Sequence, residues 1–256
     1  MRFDVLTIFP ELINTVINES ITGRAINNGI IEVNAVNIRD FSTNKHKKVD
    51  DYPYGGGSGM VMMPQPIMDA YKAILSSKVS NINIPENQIN EDFKNQNFKN
   101  QNLTNNEKPY TIYMSPQGNV LTQKKACELF DKEHIIILCG HYEGIDERII
   151  EEIIDEEISI GDYVLTGGEL PALVLIDCIS RMVPGVLSSE EAFSEESHFN
   201  GLLEYPQYTR PYDYNGKTVP DILLSGHHEN IAIWRKKQAL ERTAIKRPDL
   251  LKLKKL

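Results

Sequence analysis

The chain is poor in cysteine. Cys127, Cys139 and Cys178 are its three, far apart and without a CxxC pair. That excludes a disulfide framework and a zinc knuckle, and each thiol, set in an apolar pattern, reads as a small core residue in a reducing cytoplasm. Long apolar runs are missing too. No segment approaches the roughly 20 apolar residues that span a bilayer, so no membrane is implied. The opening Met1-Arg2-Phe3-Asp4-Val5 lacks the apolar core and small-residue cleavage site of a secretory leader and reads as a strand. The glycosylation sequons at Asn18 and Asn102 then carry no meaning. Positive charge is also in deficit: 27 Lys and Arg face 36 Asp and Glu, a net charge of -9. As a sum, that opposes binding to a polyanion. The sum conceals a split, because residues 234–256 carry nine basic and two acidic side chains, a local +7 that leaves -16 for the rest.

The familiar catalytic signatures are absent as well. Gly55-Gly56-Gly57-Ser58-Gly59 lacks GxGxxG spacing and follows no strong strand, which excludes a dinucleotide fingerprint. Gly216-Lys217-Thr218 resembles the end of a phosphate loop, but Pro211 stands where that loop needs glycine. His227-His228-Glu229 has no HExxH continuation, and there is no GxSxG elbow. No metal ligands are assigned.

What is present is an alternation of strand and helix. Apolar, strand-like runs occupy 3–9, 30–38, 110–114, 134–139 and 157–165, and helical patterns occupy 10–17, 64–75, 122–132, 145–154 and 170–182. Such alternation predicts an α/β fold with a mostly parallel sheet. Residues 80–107 interrupt it: 13 of the 28 are Asn or Gln, and FKNQN occurs twice in tandem. So few apolar side chains cannot offset ordering entropy, and an Asn-rich surface insertion near 76–109 is expected. The polar, acidic stretch SSEEAFSEESH, 188–198, resembles a linker between domains. A strong helical pattern follows at 228–245, with Ile231, Trp234, Ala239 and Leu240 toward one face and Arg235, Lys236, Arg242 and Lys246 toward another.

Three glycine-rich loops leave predicted strands directly: Ser115-Pro116-Gln117-Gly118, then Gly140 to Arg148, then Ile160 to Pro171. In parallel sheets ligands bind at such carboxyl ends, and glycine lets backbone approach a flat ligand. One such loop would be only a tight turn; three point to a pocket without naming its ligand.

At these residues the sequence resembles the bacterial tRNA (guanine(37)-N1)-methyltransferases, within the knotted-fold superfamily of S-adenosylmethionine-dependent RNA methyltransferases. The resemblance is carried by FDVLTIFPE (3–11), VDDYPYGGGSGMVMMPQP (49–66), SPQG (115–118), CGHYEGIDER (139–148), ISIGDYVLTGGELPALVLID (158–177), GLLEYPQYTRP (201–211) and VPDILLSGHHENIAIWRKKQAL (219–240). These strings run in order over nearly the whole chain outside 76–109.

The resemblance implies a knotted α/β cofactor-binding domain at 1–187, closed by a trefoil knot. A linker at 188–195 and a small helical tRNA-binding domain at 196–256 would follow, in a cytoplasmic homodimer. It implies S-adenosylmethionine as cofactor, with Mg²⁺ expected but given no protein ligand. Gly140 and Ile160, Gly161, Asp162, Tyr163, Val164 and Leu165 would contact its adenosine and methionine parts. Ser115, Pro116, Glu143, Gly144, Gly168 and Pro171 would line the same pocket. Arg181 matches an arginine implicated at guanine O6. The family's general base is an Asp at the start of the second domain, and here Glu196 stands at that position, with Glu195 and His198 as rival bases nearby. Guanine N1 is protonated at neutral pH, so its attack requires such a base. The competing readings are an RNA-binding homologue without catalysis and methylation at another RNA position.

Overall fold

The structure, a computed structural model, describes residues 1–76, 108–188 and 196–252. The Asn/Gln-rich stretch at 80–107 and, but for Ser188, the linker at 188–195 lie outside the described residues. The chain divides into two units, Met1–Val186 and Leu187–Leu256.

The first unit runs β1 (Arg2–Thr7), α1 (Pro10–Ile17), α2 (Ser20–Asn27), β2 (Glu32–Asn37), the short strands β3 (Asp50–Asp51) and β4 (Val61–Met62), and α3 (Pro64–Leu75). It continues with β5 (Tyr110–Val120), α4 (Gln123–Phe130), β6 (His134–Cys139), α5 (Glu147–Ile153), β7 (Glu156–Ser159) and α6 (Glu169–Ser180). Its main sheet has the order β2-β1-β6-β5-β7 with every pairing parallel. The expected α/β class with a mostly parallel sheet is what the chain adopts. The sequence of β6, HIIILC, explains its central place: Ile135 through Cys139 are fully buried, as a strand covered on both faces requires. β2, at an edge, carries Asn34 and Asn37 and stays half-buried through most of its length. Pro10 starts α1 and Pro64 starts α3, where a missing N–H costs no helical hydrogen bond.

Three local expectations are corrected. The strand read at 157–165 ends at Ser159, because Gly161 at φ 152° turns the chain out of the sheet. α2 forms where the sequence shows no helical pattern: its SITGRAIN sequence has little apolar content, and it buries only Gly23 and Ala25. Of the three cysteines only Cys139 is fully buried; Cys127 and Cys178 are half-buried.

At the amino end of the sheet, Asp4 is fully buried. Its carboxylate accepts hydrogen bonds from Arg2 Nε at 2.8 Å and Asn34 Nδ2 at 3.1 Å and lies 2.6 Å from His134 Nε2. Burial pushes its pKa up, but the hydrogen bonds from His134 and Arg2 outweigh this and hold it below the usual 3.8. A depressed folded pKa contributes stability above the unfolded value, lost as pH falls through the folded one. Asp4→Asn should therefore cost about 2 kcal/mol at pH 7. The difference from wild type should shrink below about pH 4, as urea denaturation at several pH values would show.

The second unit holds a hairpin of β8 (Asp213–Tyr214) and β9 (Lys217–Thr218), a 3-10 turn at Asp221–Leu224, α7 (His228–Lys246) and α8 (Pro248–Lys252). The hairpin adds strand to a domain expected to be helical. On α7, Ala239 and Thr243 are buried, whereas Leu240 is exposed, against expectation. The Thr243 hydroxyl donates to Ala239 O at 2.7 Å and accepts from Leu203 N at 2.8 Å, pinning the chain at 203 onto the helix.

Candidate active site

The second and third loops leave the carboxyl ends of β6 and β7, whereas Ser115–Gly118, expected as a loop after a strand ending at 114, lie within β5, which runs on to Val120. β5 is irregular there: Ile158 of β7 pairs with both Met114 and Asn119, so residues 115–118 bulge from the ladder. Ser115 stays buried, and its hydroxyl accepts from Gln117 N at 3.2 Å; Pro116 and Gln117 are exposed.

After β6, Gly140 is held against two neighbours. A Cβ there would lie 2.7 Å from Tyr113 Oη, and its carbonyl accepts from Gly168 N at 2.9 Å. A Cβ on Gly168 would lie 2.7 Å from Cys139 Cα and 3.0 Å from Gly140 N. The second and third loops therefore touch through backbone where only glycine fits. His141 bridges Gly167, and its ring packs on Phe9 at 5.0 Å between centroids.

The third loop is braced at its start. The Ser159 hydroxyl accepts from Gly161 N at 3.1 Å and donates to Gly161 O at 2.9 Å, and Tyr163 N donates to Gly161 O at 2.9 Å. Tyr163, Val164 and Leu165 are exposed beyond it. Among the described residues, the amides of Asp162, Val164 and Leu165 donate no backbone hydrogen bond. Such unpaired groups suit the hydrogen-bonding edge of a bound base.

Two buried groups set the electrostatics. Burial, reinforced by Glu157 and Glu147, pushes the Tyr113 phenol up to about 12. Burial and then Glu169 push the Cys139 thiol well above its usual value. Both are neutral at pH 7, so Cys139 is no nucleophile. Glu169 opens α6 and is buried; it accepts from the Thr7 hydroxyl at 2.7 Å and lies 3.9 Å from His141 Nε2. Thr7→Val would strip that carboxylate of a donor and should lower stability by about 2 kcal/mol in chemical denaturation.

The predicted cofactor residues divide into those the structure links and those it does not. Gly140 and Gly168 are hydrogen-bonded, and Gly161 and Tyr163 share a turn. Gly144 lies beside Tyr113, which also walls Gly140. Ile160 lines a cavity of about 170 Å³ with Leu121, Gln123, Ala126, Val174 and Cys178, between the start of the third loop, α4 and α6. Pro171 sits in the first turn of α6, half-buried. Glu143 is exposed and faces elsewhere: its amide donates to Met60 O at 3.0 Å, and its side chain blocks the space a Cβ on Gly59 would take. Met62 N donates to Gly144 O at 2.9 Å and Asp146 N to Met62 O at 3.1 Å. The segment 59–62 thus clasps the second loop, a role the sequence reading gave to none of its residues.

Arg181 caps the carboxyl end of α6 in the first unit, half-buried, and Glu196 is half-buried in the second. His198, at φ 75°, accepts from Gly201 N at 3.2 Å in a tight turn just after it, while Glu195 lies outside the described residues. Among the described residues no group of three His, Cys, Asp or Glu is placed to hold a metal ion.

Glycine-walled loops at the carboxyl ends of parallel strands define an α/β protein of the kind in which backbone can approach a flat ligand. Residues 1–253 match the model of the tRNA (Guanine-1)-methyltransferase TrmD family. The tRNA (guanine-N(1)-)-methyltransferase of Ruminiclostridium cellulolyticum is 66% identical over 250 residues, covering 98% of this chain and 96% of the relative. Its counterpart in Clostridioides difficile is 54% identical over 252 residues, 98% of each chain. The chain belongs to the tRNA (Guanine-1)-methyltransferase TrmD family.

Proposed function

We propose that the protein transfers a methyl group from S-adenosylmethionine to N1 of guanine 37 in tRNA. The observation that carries this reading is the family match over residues 1–253, which includes all three loops.

The loops fit the cofactor. Gly140 and Gly168 leave no room for side chains, Val164 and Leu165 offer unpaired amides, and Asp162 brings a carboxylate to the third loop, suited to a ligand that is cationic at sulfur; Glu143, whose side chain lies against Gly59, joins the set through the family alone. Ser115, Pro116, Gly144, Ile160, Gly161, Tyr163 and Pro171 complete the set that would hold it. Bound there, S-adenosylmethionine supplies an electrophilic methyl group. The chain's own groups handle the proton. Glu196 takes the proton from guanine N1 and frees the N1 lone pair, and the Arg181 guanidinium stabilises the charge that grows on O6. Glu196 carries the family's carboxylate one methylene farther out.

The trefoil knot belongs to this reading through the family. So does the homodimer, which is supported by apolar side chains left exposed on and beside α1 and α6: Phe9, Leu12, Val16, Leu170 and Val174. Among the described residues no helix is long and apolar enough to cross a membrane, and a cytoplasmic location is proposed. Mg²⁺ is given no protein ligand. For RNA the supporting feature is the basic face of α7, with Lys236, Lys237, Arg242 and Lys246, together with Lys45, Lys47, Lys48 and Arg210.

Incubation with labelled S-adenosylmethionine and tRNA tests this. Transfer of label to the RNA is expected. Retention of tRNA without transfer would instead identify a non-catalytic RNA-binding homologue.

A further inference from the structure

Among the described residues of the second unit, Thr243 is the one polar side chain that is fully buried. Its hydroxyl is used twice, as donor to Ala239 O and as acceptor from Leu203 N. The first bond is one that a threonine inside any helix can make. The second joins residues 40 apart in the chain and ties the segment 197–204 to α7. That segment is itself closed. The Ser197 hydroxyl accepts from Glu204 N at 3.0 Å, and His198 N donates to Leu202 O at 2.8 Å. Within this turn His198 takes a left-handed φ of 75°, a conformation that persists only where surrounding bonds hold it.

Glu196 immediately precedes the closed turn, so its backbone is placed by the ties at Ser197 and Leu203. A general base works only when it is held in reach of its proton, and a misplacement of about 1 Å can cost about 10²-fold in rate. Glutamate depends on its backbone more than aspartate does. Its extra rotatable bond spreads the carboxylate over more positions, so more of the placing falls to the chain that carries it. The same bonds could serve stability alone. In that case their loss would reduce the amount of folded protein and leave the rate of the folded fraction as it was.

We propose that Thr243 is a positioning residue for the methyl-transfer step: from α7 it holds the turn 197–204, and through that turn the carboxylate of Glu196. The inference rests on the reading of Glu196 as the base and adds the group that places it. Arg242 and Lys246 stand on the same helix, so one element joins the basic face to the base.

The test uses the full chain and measures single-turnover methyl transfer at saturating tRNA and S-adenosylmethionine. Thr243→Val removes the hydroxyl at nearly constant shape and should lower the rate constant about 10- to 100-fold, with affinity for tRNA and for S-adenosylmethionine changed by no more than about twofold. Thr243→Ser keeps the hydroxyl and should recover most of the rate. Ser197→Ala cuts the other tie outside the buried helix face, should slow the same step, and serves if Thr243→Val folds poorly. The sharpest readout is non-additivity. Adding Thr243→Val or Ser197→Ala to Glu196→Gln should slow transfer no further, because a residue that acts through the base has nothing left to place. A smaller amplitude with the rate constant intact would overturn the proposal in favour of a purely structural role. So would an undiminished effect of both substitutions in the Glu196→Gln background. Full transfer by Glu196→Gln alone is a different result, which removes the base assignment and the positioning role with it.

Discussion

Gly168→Val should abolish useful binding of S-adenosylmethionine, lowering affinity by about 100-fold or more in calorimetry. A Cβ at this position would meet Cys139 Cα at 2.7 Å and Gly140 N at 3.0 Å. Both are backbone atoms, so no side-chain rotation relieves the clash. The residue's own N–H donates to Gly140 O, and any shift therefore moves the second and third loops together. Overpacking at such a contact should also cost about 1 to 3 kcal/mol of stability. Gly56→Ala is the control. Its Cβ would meet nothing within 4 Å, so only the strain of a left-handed backbone at φ 80° is incurred, about 1 kcal/mol, and cofactor affinity should stay. Wild-type affinity in Gly168→Val would show that the loops do not form the cofactor site.

Glu196→Gln should reduce single-turnover methyl transfer by about 10² to 10⁴ while leaving S-adenosylmethionine affinity unchanged. The amide preserves size and polarity but cannot accept the N1 proton. Glu196→Asp, which restores the family's residue, should keep the activity and separates loss of the base from loss of shape. Full single-turnover transfer by Glu196→Gln would move the base to another residue, with His198 next in line.

Much of the first unit was legible because its sequence patterns are local and strong. HIIILC, short, apolar and rich in β-branched isoleucine, reads as a strand buried on both faces, and Pro10 and Pro64 mark helix starts by the chemistry of a missing donor. The sheet order was not legible, because strand pairing joins residues as distant as Arg2 and His134 and leaves no trace in periodicity. α2 leaves no amphipathic pattern in the sequence because a Gly and polar residues dilute its face. The run from Glu157 to Leu165 reads as one apolar strand, yet the φ of Gly161 divides it into a sheet strand and a ligand loop.

The site shows the same limits. Glycine density marked the three loops, but it could not show that Gly140 and Gly168 touch, which depends on the approach of β6 to the start of α6. Glu169 and Thr7 lie 162 residues apart, and their hydrogen bond is visible only in three dimensions. The link of the 59–62 segment to the second loop is not legible in the sequence, because it is made by backbone groups that every residue carries. Arg235 appeared within a basic helical face. Its burial against Tyr205 distinguishes it from its neighbours. Net charge misled for a related reason: -9 describes the whole chain, whereas a phosphate responds to the local +7 at 234–256.

The central claim is methylation of one atom of one nucleotide. Its most direct test supplies labelled S-adenosylmethionine and two tRNAs that differ only in having guanine or another base at position 37, then maps the methyl group by nuclease digestion and mass spectrometry. The account predicts 1-methylguanine at position 37 of the first tRNA and no transfer to the second. Equal transfer to both, or a methyl group on any other atom, would contradict it.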